Sequence, residues 1–158
     1  MTTGRELARA LRAAYLALHR RTDGCFAADG VTADQFALLS ALEEAGASTQ
    51  QELVRRVGSD PNTVRAMLVL LEGRSLVART PHPDDRRARR VTLTPKGRRT
   101  FARLWTRSES IRRRLLTALR PADVAALVSL LQRVSDAMSS HDSPTPTTST
   151  QGALQCRD

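Results

Sequence analysis

Four helix-start signals divide this chain, and their spacing restricts its fold more than any other feature. Thr32-Ala-Asp-Gln35 and Thr49-Gln-Gln-Glu52 are capping boxes: the threonine hydroxyl takes the third helical amide while the Gln or Glu side chain reaches back. Asp60-Pro61 and Thr94-Pro95 each place a capping residue before a proline at the first helical position, where the missing N–H is no loss. Between the second and third signals only a short helix fits, ending at Gly58, and the next runs to about Arg74. Two short helices about a Gly-containing turn form a helix-turn-helix.

Along the second of these helices Val64, Met67, Leu68 and Leu71 recur at the buried spacing, which turns Asn62, Arg65, Ala66 and Val69 outward. Pro61 and Thr63 lie at the start of the same helix. An ordinary solvated face carries Glu and Lys more often. An amide, a guanidinium and small apolar groups can instead approach base edges in a major groove. Thr49, Gln50 and Gln51, opening the first helix, are expected to contact the nucleic-acid backbone.

Leu76–Thr80 reads as a short strand, and Arg90–Thr94 alternates with Val91 and Leu93 on one side, so the two should pair as a hairpin. The intervening PHPDDRRA is too long for a tight turn and would project as a wing. Charge concentrates here. The formal net charge is +9, and between Arg86 and Arg114 the only acid is Glu109. A strand edge crowded by Arg86, Arg87, Arg89 and Arg90 repels itself unless an anion is expected, which favours a polyanionic partner such as nucleic acid or an acidic membrane surface.

Helices flank this region. A stripe of Leu7, Leu11, Ala14 and Leu18 predicts one over about 5–28. Phe101, Leu104, Trp105, Ser108, Ile111, Leu115 and Leu119 predict a long connecting helix over 95–120. Val124, Leu127, Val128, Leu131, Val134 and Met138 predict another over 121–139. The Ser/Thr/Pro-rich 140–158 cannot bury enough apolar surface to offset its chain entropy and is expected to be a disordered tail. No stretch approaches the ~20 apolar residues of a membrane span, and the arginine-interrupted N-terminus lacks the apolar core of a signal peptide. Cys25 and Cys156 are too few for a disulfide scaffold, so a soluble, cytoplasmic protein without membrane attachment is expected.

The order of these pieces, and above all DPNTV, LVAR and DDRRARRVTLTPKG, resembles the MarR (multiple-antibiotic-resistance regulator) family over roughly residues 5–139. That resemblance implies a mainly α protein: a winged helix-turn-helix DNA-binding lobe over 32–94 and a helical dimerisation region, six helices plus a two-stranded β wing in a single unit over 1–139. It implies a homodimeric transcriptional repressor of pseudo-palindromic double-stranded DNA, paired through 5–28 and 121–139 and released by a small-molecule ligand. Asp85 and Arg87 take the places of the family's wing aspartate and minor-groove arginine. A carboxylate two residues away can hold a guanidinium extended toward the negative potential of a narrow groove. The chain departs from the pattern where Gly73 falls two places early and Ser75 takes the turn, and where Val69-Leu70 replaces a usual Asp-Arg pair.

The family's ligands are often anionic aromatics, for which Tyr15, His19, Phe36 and Trp105 could line a cleft and Arg12 could meet a carboxylate. Core packing is the commoner role for Phe36 and Trp105. Cys25 reads as a small buried hydrophobe. No metal site is expected from three scattered histidines, and no cofactor. The chain contains no GxSxG, phosphate-binding loop or zinc motif, so it reads as no enzyme. Arginines 99, 103, 107, 112, 113 and 114 keep a basic helical RNA-binding protein in view, and a winged-helix protein–protein adaptor is a third reading.

Overall fold

The computed structural model describes residues 3–81 and 89–139. The chain divides into two units, one ending at Arg120 and one beginning at Pro121. In the first, helix α1 spans Gly4–Phe26 and begins with a further capping box, Thr3 with Glu6. A 3-10 turn, Ala27–Asp29, ends at Gly30, whose φ of 61° suits glycine. Helix α2 (Ala33–Ala45), strand β1 (Ala47–Thr49), and helices α3 (Gln50–Val57) and α4 (Pro61–Gly73) follow. Strands β2 (Val77–Pro81) and β3 (Arg89–Leu93) lead into α5 (Pro95–Arg107) and α6 (Glu109–Thr117). All four helix-start signals cap as read.

The fold is mainly helical, as expected, with two differences in count: a third strand, and a break in the connecting helix. β1 adds to the hairpin, giving the antiparallel order β1-β3-β2 with Ser48 opposite Val91 and Val77 opposite Leu93. Three residues are too few to display an alternating pattern, so β1 looked like a loop. The break falls at Ser108, a buried residue with ψ of 3°. Its hydroxyl donates to the Trp105 carbonyl at 3.0 Å, and Arg112 Nη1 donates to the same carbonyl at 2.6 Å. The released carbonyl is thus satisfied without the next helical turn. Ser108 lies on the apolar stripe, so periodicity ran straight through it.

The core gathers Phe26, Leu38, Leu39, Leu42, Leu53, Val64, Leu68, Leu71, Leu76, Val77, Val91 and Leu104, each under 3% exposed. Burying one such side chain contributes about 1.5–3 kcal/mol, which is what seats α4 on α3 and β2. The far end of α4 carries the departure noted at Ser75. Ser75 donates its amide to Glu72 and Leu76 donates to Leu71, the paired bonds of a Schellman ending, with Ser75 at φ 57°. A left-handed serine costs about 1–2 kcal/mol, offset in Ser75→Gly by glycine's greater chain entropy. Ser75→Gly should therefore raise stability by about 0.5–1 kcal/mol in urea denaturation.

Two contacts fasten α5 to that ending. The Thr94 hydroxyl donates to the Ser75 carbonyl at 2.7 Å, and the Thr94 amide donates to the Leu76 carbonyl at 3.1 Å. Gly97 is buried so tightly that a Cβ there would lie 1.9 Å from the Leu76 oxygen.

In the second unit, helix α7 spans Pro121–Ser139. Leu127, Val128, Leu130, Leu131, Val134 and Met138 are all exposed in the isolated chain. The tail expected to be disordered, 140–158, lies outside the described residues. No single helix among the described residues is long and apolar enough to cross a membrane.

Candidate nucleic-acid interface

The start of α4 is built by its cap. Asp60 accepts the amides of Asn62 at 3.0 Å and Thr63 at 2.9 Å, and Pro61 removes the next orphan donor. Hydrogen bonds from Thr63 and Asn62 hold the Asp60 carboxyl below its ordinary 3.8. Glu52 is likewise held below its ordinary 4.5 by the Thr49 amide and hydroxyl. A depressed carboxyl contributes stability that is present above its ordinary pKa and lost as pH falls through the lowered folded value. Acid should therefore loosen α3 and α4 from about pH 4 downward. Asp60→Asn, which still caps, should lose less stability between about pH 5 and about pH 3 than wild type in chemical denaturation.

With Val64, Met67, Leu68 and Leu71 buried, Pro61, Asn62, Thr63, Arg65, Ala66 and Val69 all stand exposed. The side chains of Asn62 and Arg65 make no hydrogen bond or ion pair among the described residues. Their donors are therefore free for an incoming group. Leu70 is also exposed, so Val69-Leu70 forms an apolar pair beside them.

At the neighbouring helix, Thr49 spends its hydroxyl on the cap of α3. Gln50 is half-buried and donates through Nε2 to the Pro61 carbonyl at 3.3 Å, bracing α3 against α4. Gln51 is exposed. Arg90 stands opposite Thr80 on β2 and Thr49 on β1, which places the wing's base beside the helix-turn-helix. Arg89 is exposed opposite Pro81. Asp85, Arg86 and Arg87 lie outside the described residues.

The arginines that follow the wing divide by partner. Arg103 and Arg107 both pair with Asp29, whose side chain is 10% exposed. Arg112 stacks over the Trp105 ring at 3.7 Å and pairs with Glu109 at 2.6 Å; Arg113 also faces Glu109. Four of the six are therefore engaged within the chain. Half-buried Cys25 packs on the core, its Sγ donating to the Arg107 carbonyl at 3.5 Å.

A cavity of about 280 Å³ opens between α1, the start of α2 and α6. Tyr15, His19 and Phe36 line it, as the sequence suggested. Arg12 and Trp105 do not. Arg12 is exposed elsewhere on α1, and Trp105 lines a separate cleft with Phe101, Glu43 and Glu44. The guanidinium at the cavity is that of Arg112, and Asp34 contributes a carboxylate. Sequence reading missed both, although Arg112 stands one helical turn beyond Ser108 on the same stripe. Partial burial, and then the charges of Asp34 and Asp23, push the Tyr15 phenol up. Phe36 serves two surfaces, stacking on Phe101 behind the cavity at 5.5 Å. No group of three His, Cys, Asp or Glu side chains able to hold a metal occurs among the described residues.

A helix-turn-helix with an outward face of free donors, joined to a cationic hairpin, defines a winged-helix DNA-binding regulator. The comparisons narrow the class. The sequence model of the MarR family matches residues 31–88. The HTH-type transcriptional repressor NicR of Pseudomonas putida is 31% identical over 106 residues, covering 67% of each chain. Bordetella bronchiseptica BpsR, whose DNA binding is regulated by 6-hydroxynicotinic acid, is 32% identical at TM-score 0.75, covering 86% of this chain and 97% of its own. A mutant MarR from E. coli, complexed with operator DNA, is 26% identical at TM-score 0.72, covering 81% and 92%. The chain belongs to the MarR family of transcriptional regulators.

Proposed function

We propose that the protein is a homodimeric repressor that grips a pseudo-palindromic DNA duplex and lets go when a small aromatic effector binds. The observation that carries this reading is the outward face of α4, where Asn62 and Arg65 keep their donors free beside Ala66 and Val69. In the reading, these residues with Pro61 and Thr63 meet base edges in the major groove, while Thr49 and Gln51 approach phosphates and Gln50 braces the pair. Arg89 and Arg90 carry the wing toward the backbone, and Asp85, Arg86 and Arg87 extend it into the minor groove.

The exposed apolar residues of α1 and α7 supply the dimer surface. Leu7, Tyr15 and Leu18 are 50%, 56% and 38% exposed, and Met138 is 74% exposed, an arrangement that a partner chain would cover. Residues 5–28 and 121–139 are therefore the dimerisation helices of the proposal, and 32–94 is its DNA-binding lobe. Duplex DNA is favoured over RNA because four of the arginines that suggested an RNA track are paired within the chain, and no aromatic stacking platform accompanies the rest among the described residues. The effector is small, aromatic and anionic, its acid directed to Arg112 in the 280 Å³ cavity. It releases DNA by preferring a dimer whose recognition helices are misplaced, a coupling of about 1–3 kcal/mol.

Sedimentation velocity at micromolar protein, alone and with a palindromic duplex, tests the assembly. Twice the 17.3 kDa chain mass is expected for the protein alone, and that mass plus one duplex for the mixture. Solitary chains on single half-sites would refute it.

A further inference from the structure

The cavity carries more chemistry than an anion requires. Arg112 spends Nη1 on the Trp105 carbonyl and the Ser108 hydroxyl, both at 2.6 Å, and Nη2 on Glu109 at 2.6 Å. A guanidinium has five N–H groups, so two remain for a ligand's acid. Across the lining, on the α1 and α2 side, the polar groups are of the opposite kind. His19 Nδ1 lies 3.0 Å from Asp23, and its Nε2 lies 3.4 Å from Asp34. Both ring nitrogens therefore face carboxylates, leaving neither turned toward a ligand.

Asp34 is not consumed by its own helix. The N-terminus of α2 is capped by Thr32, which takes the Gln35 amide, and by Asp23, which takes the Ala33 amide at 2.7 Å. The Asp34 side chain is 54% exposed at the cavity, with His19 Nε2 3.4 Å from it. An ionised carboxylate only accepts hydrogen bonds. A ligand edge of bare C–H groups would strip water from that carboxylate and return nothing, whereas an O–H or N–H would satisfy it.

Resting on the reading of this cavity as the effector site, we propose that Asp34 is the specificity-determining residue: it selects aromatic acids that carry a hydroxyl or N–H donor on the ring besides their carboxylate. His19, locked between Asp23 and Asp34, positions that carboxylate. Asp34 thus discriminates between ligands, while Arg112 holds the acid common to all of them.

Isothermal titration of the full chain with benzoate, 3-hydroxybenzoate and 4-hydroxybenzoate tests this, using wild type, Asp34→Ala and Asp34→Leu, which offer no side-chain acceptor, with Ile111→Trp to fill the cavity. At least one hydroxy acid should bind wild type ten or more times tighter than benzoate, since a site that pairs a ligand hydroxyl rejects the analogue lacking it. In both Asp34 variants the preference should fall within about threefold, with benzoate binding no weaker than to wild type. Equal affinities in wild type, or a preference surviving both substitutions, would overturn the assignment of Asp34. Binding of any probe undiminished by Ile111→Trp, or no binding of any probe to wild type, would instead sink the cavity reading, and this proposal with it.

Discussion

Gly97→Ala should destabilise the protein by about 3 kcal/mol or more, with the thermal midpoint falling by roughly 6–12 °C. The cause is local and severe. A methyl group at this position would sit 1.9 Å from the Leu76 carbonyl oxygen, inside any tolerable contact, and the obstacle is backbone, which cannot swing away. Relief would require α5 to lift off the α4–β2 ending, which breaks the bonds from Thr94 to Ser75 and Leu76. Gly73 supplies the contrast, because nothing lies within 4 Å of a Cβ placed there. Gly73→Ala, at the last turn of α4, should be neutral or stabilising by up to about 1 kcal/mol. If Gly97→Ala melts with wild type, the close approach of α5 to Leu76 is wrong.

Arg65→Ala is expected to erase about 1–3 kcal/mol of discrimination at one base-pair position in each half-site, roughly 5- to 150-fold. Arg65 is exposed at the centre of the outward face of α4, and its guanidinium makes no ion pair among the described residues. Competition binding against a set of single-position operator variants reads the effect directly. The loss should concentrate where the arginine meets a guanine, leaving the ranking of other positions intact. Equal weakening across every variant would place Arg65 on phosphate instead, and the salt dependence would then drop by about 0.9 in log–log slope per subunit.

Much of the fold was legible because helix starts are local chemistry. Thr32, Thr49, Asp60 and Thr94 each announce a cap within four residues, and all four caps form. The buried and exposed faces of α4 were legible for a related reason, since a 3.6-residue period needs no knowledge of tertiary structure. What stayed hidden depended on partners distant in sequence. The break at Ser108 arises from the Arg112 bond to a carbonyl seven residues back, which no stripe reveals. The commitment of Arg103 and Arg107 depends on Asp29, more than seventy residues away. The cavity shows the same limit. Tyr15, His19 and Phe36 were legible as candidates, but choosing Arg112 over Arg12 required knowing which helix closes the opposite wall.

Asp29 does more than neutralise two arginines. Its backbone carbonyl also accepts Arg74 Nη2 at 2.7 Å, while its carboxylate holds Arg103 and Arg107. One short turn therefore clasps the tail of α1, the trailing end of α4 and the C-terminal end of α5. Opening this one turn would therefore release three guanidinium groups at once, unfastening helices that lie far apart in sequence.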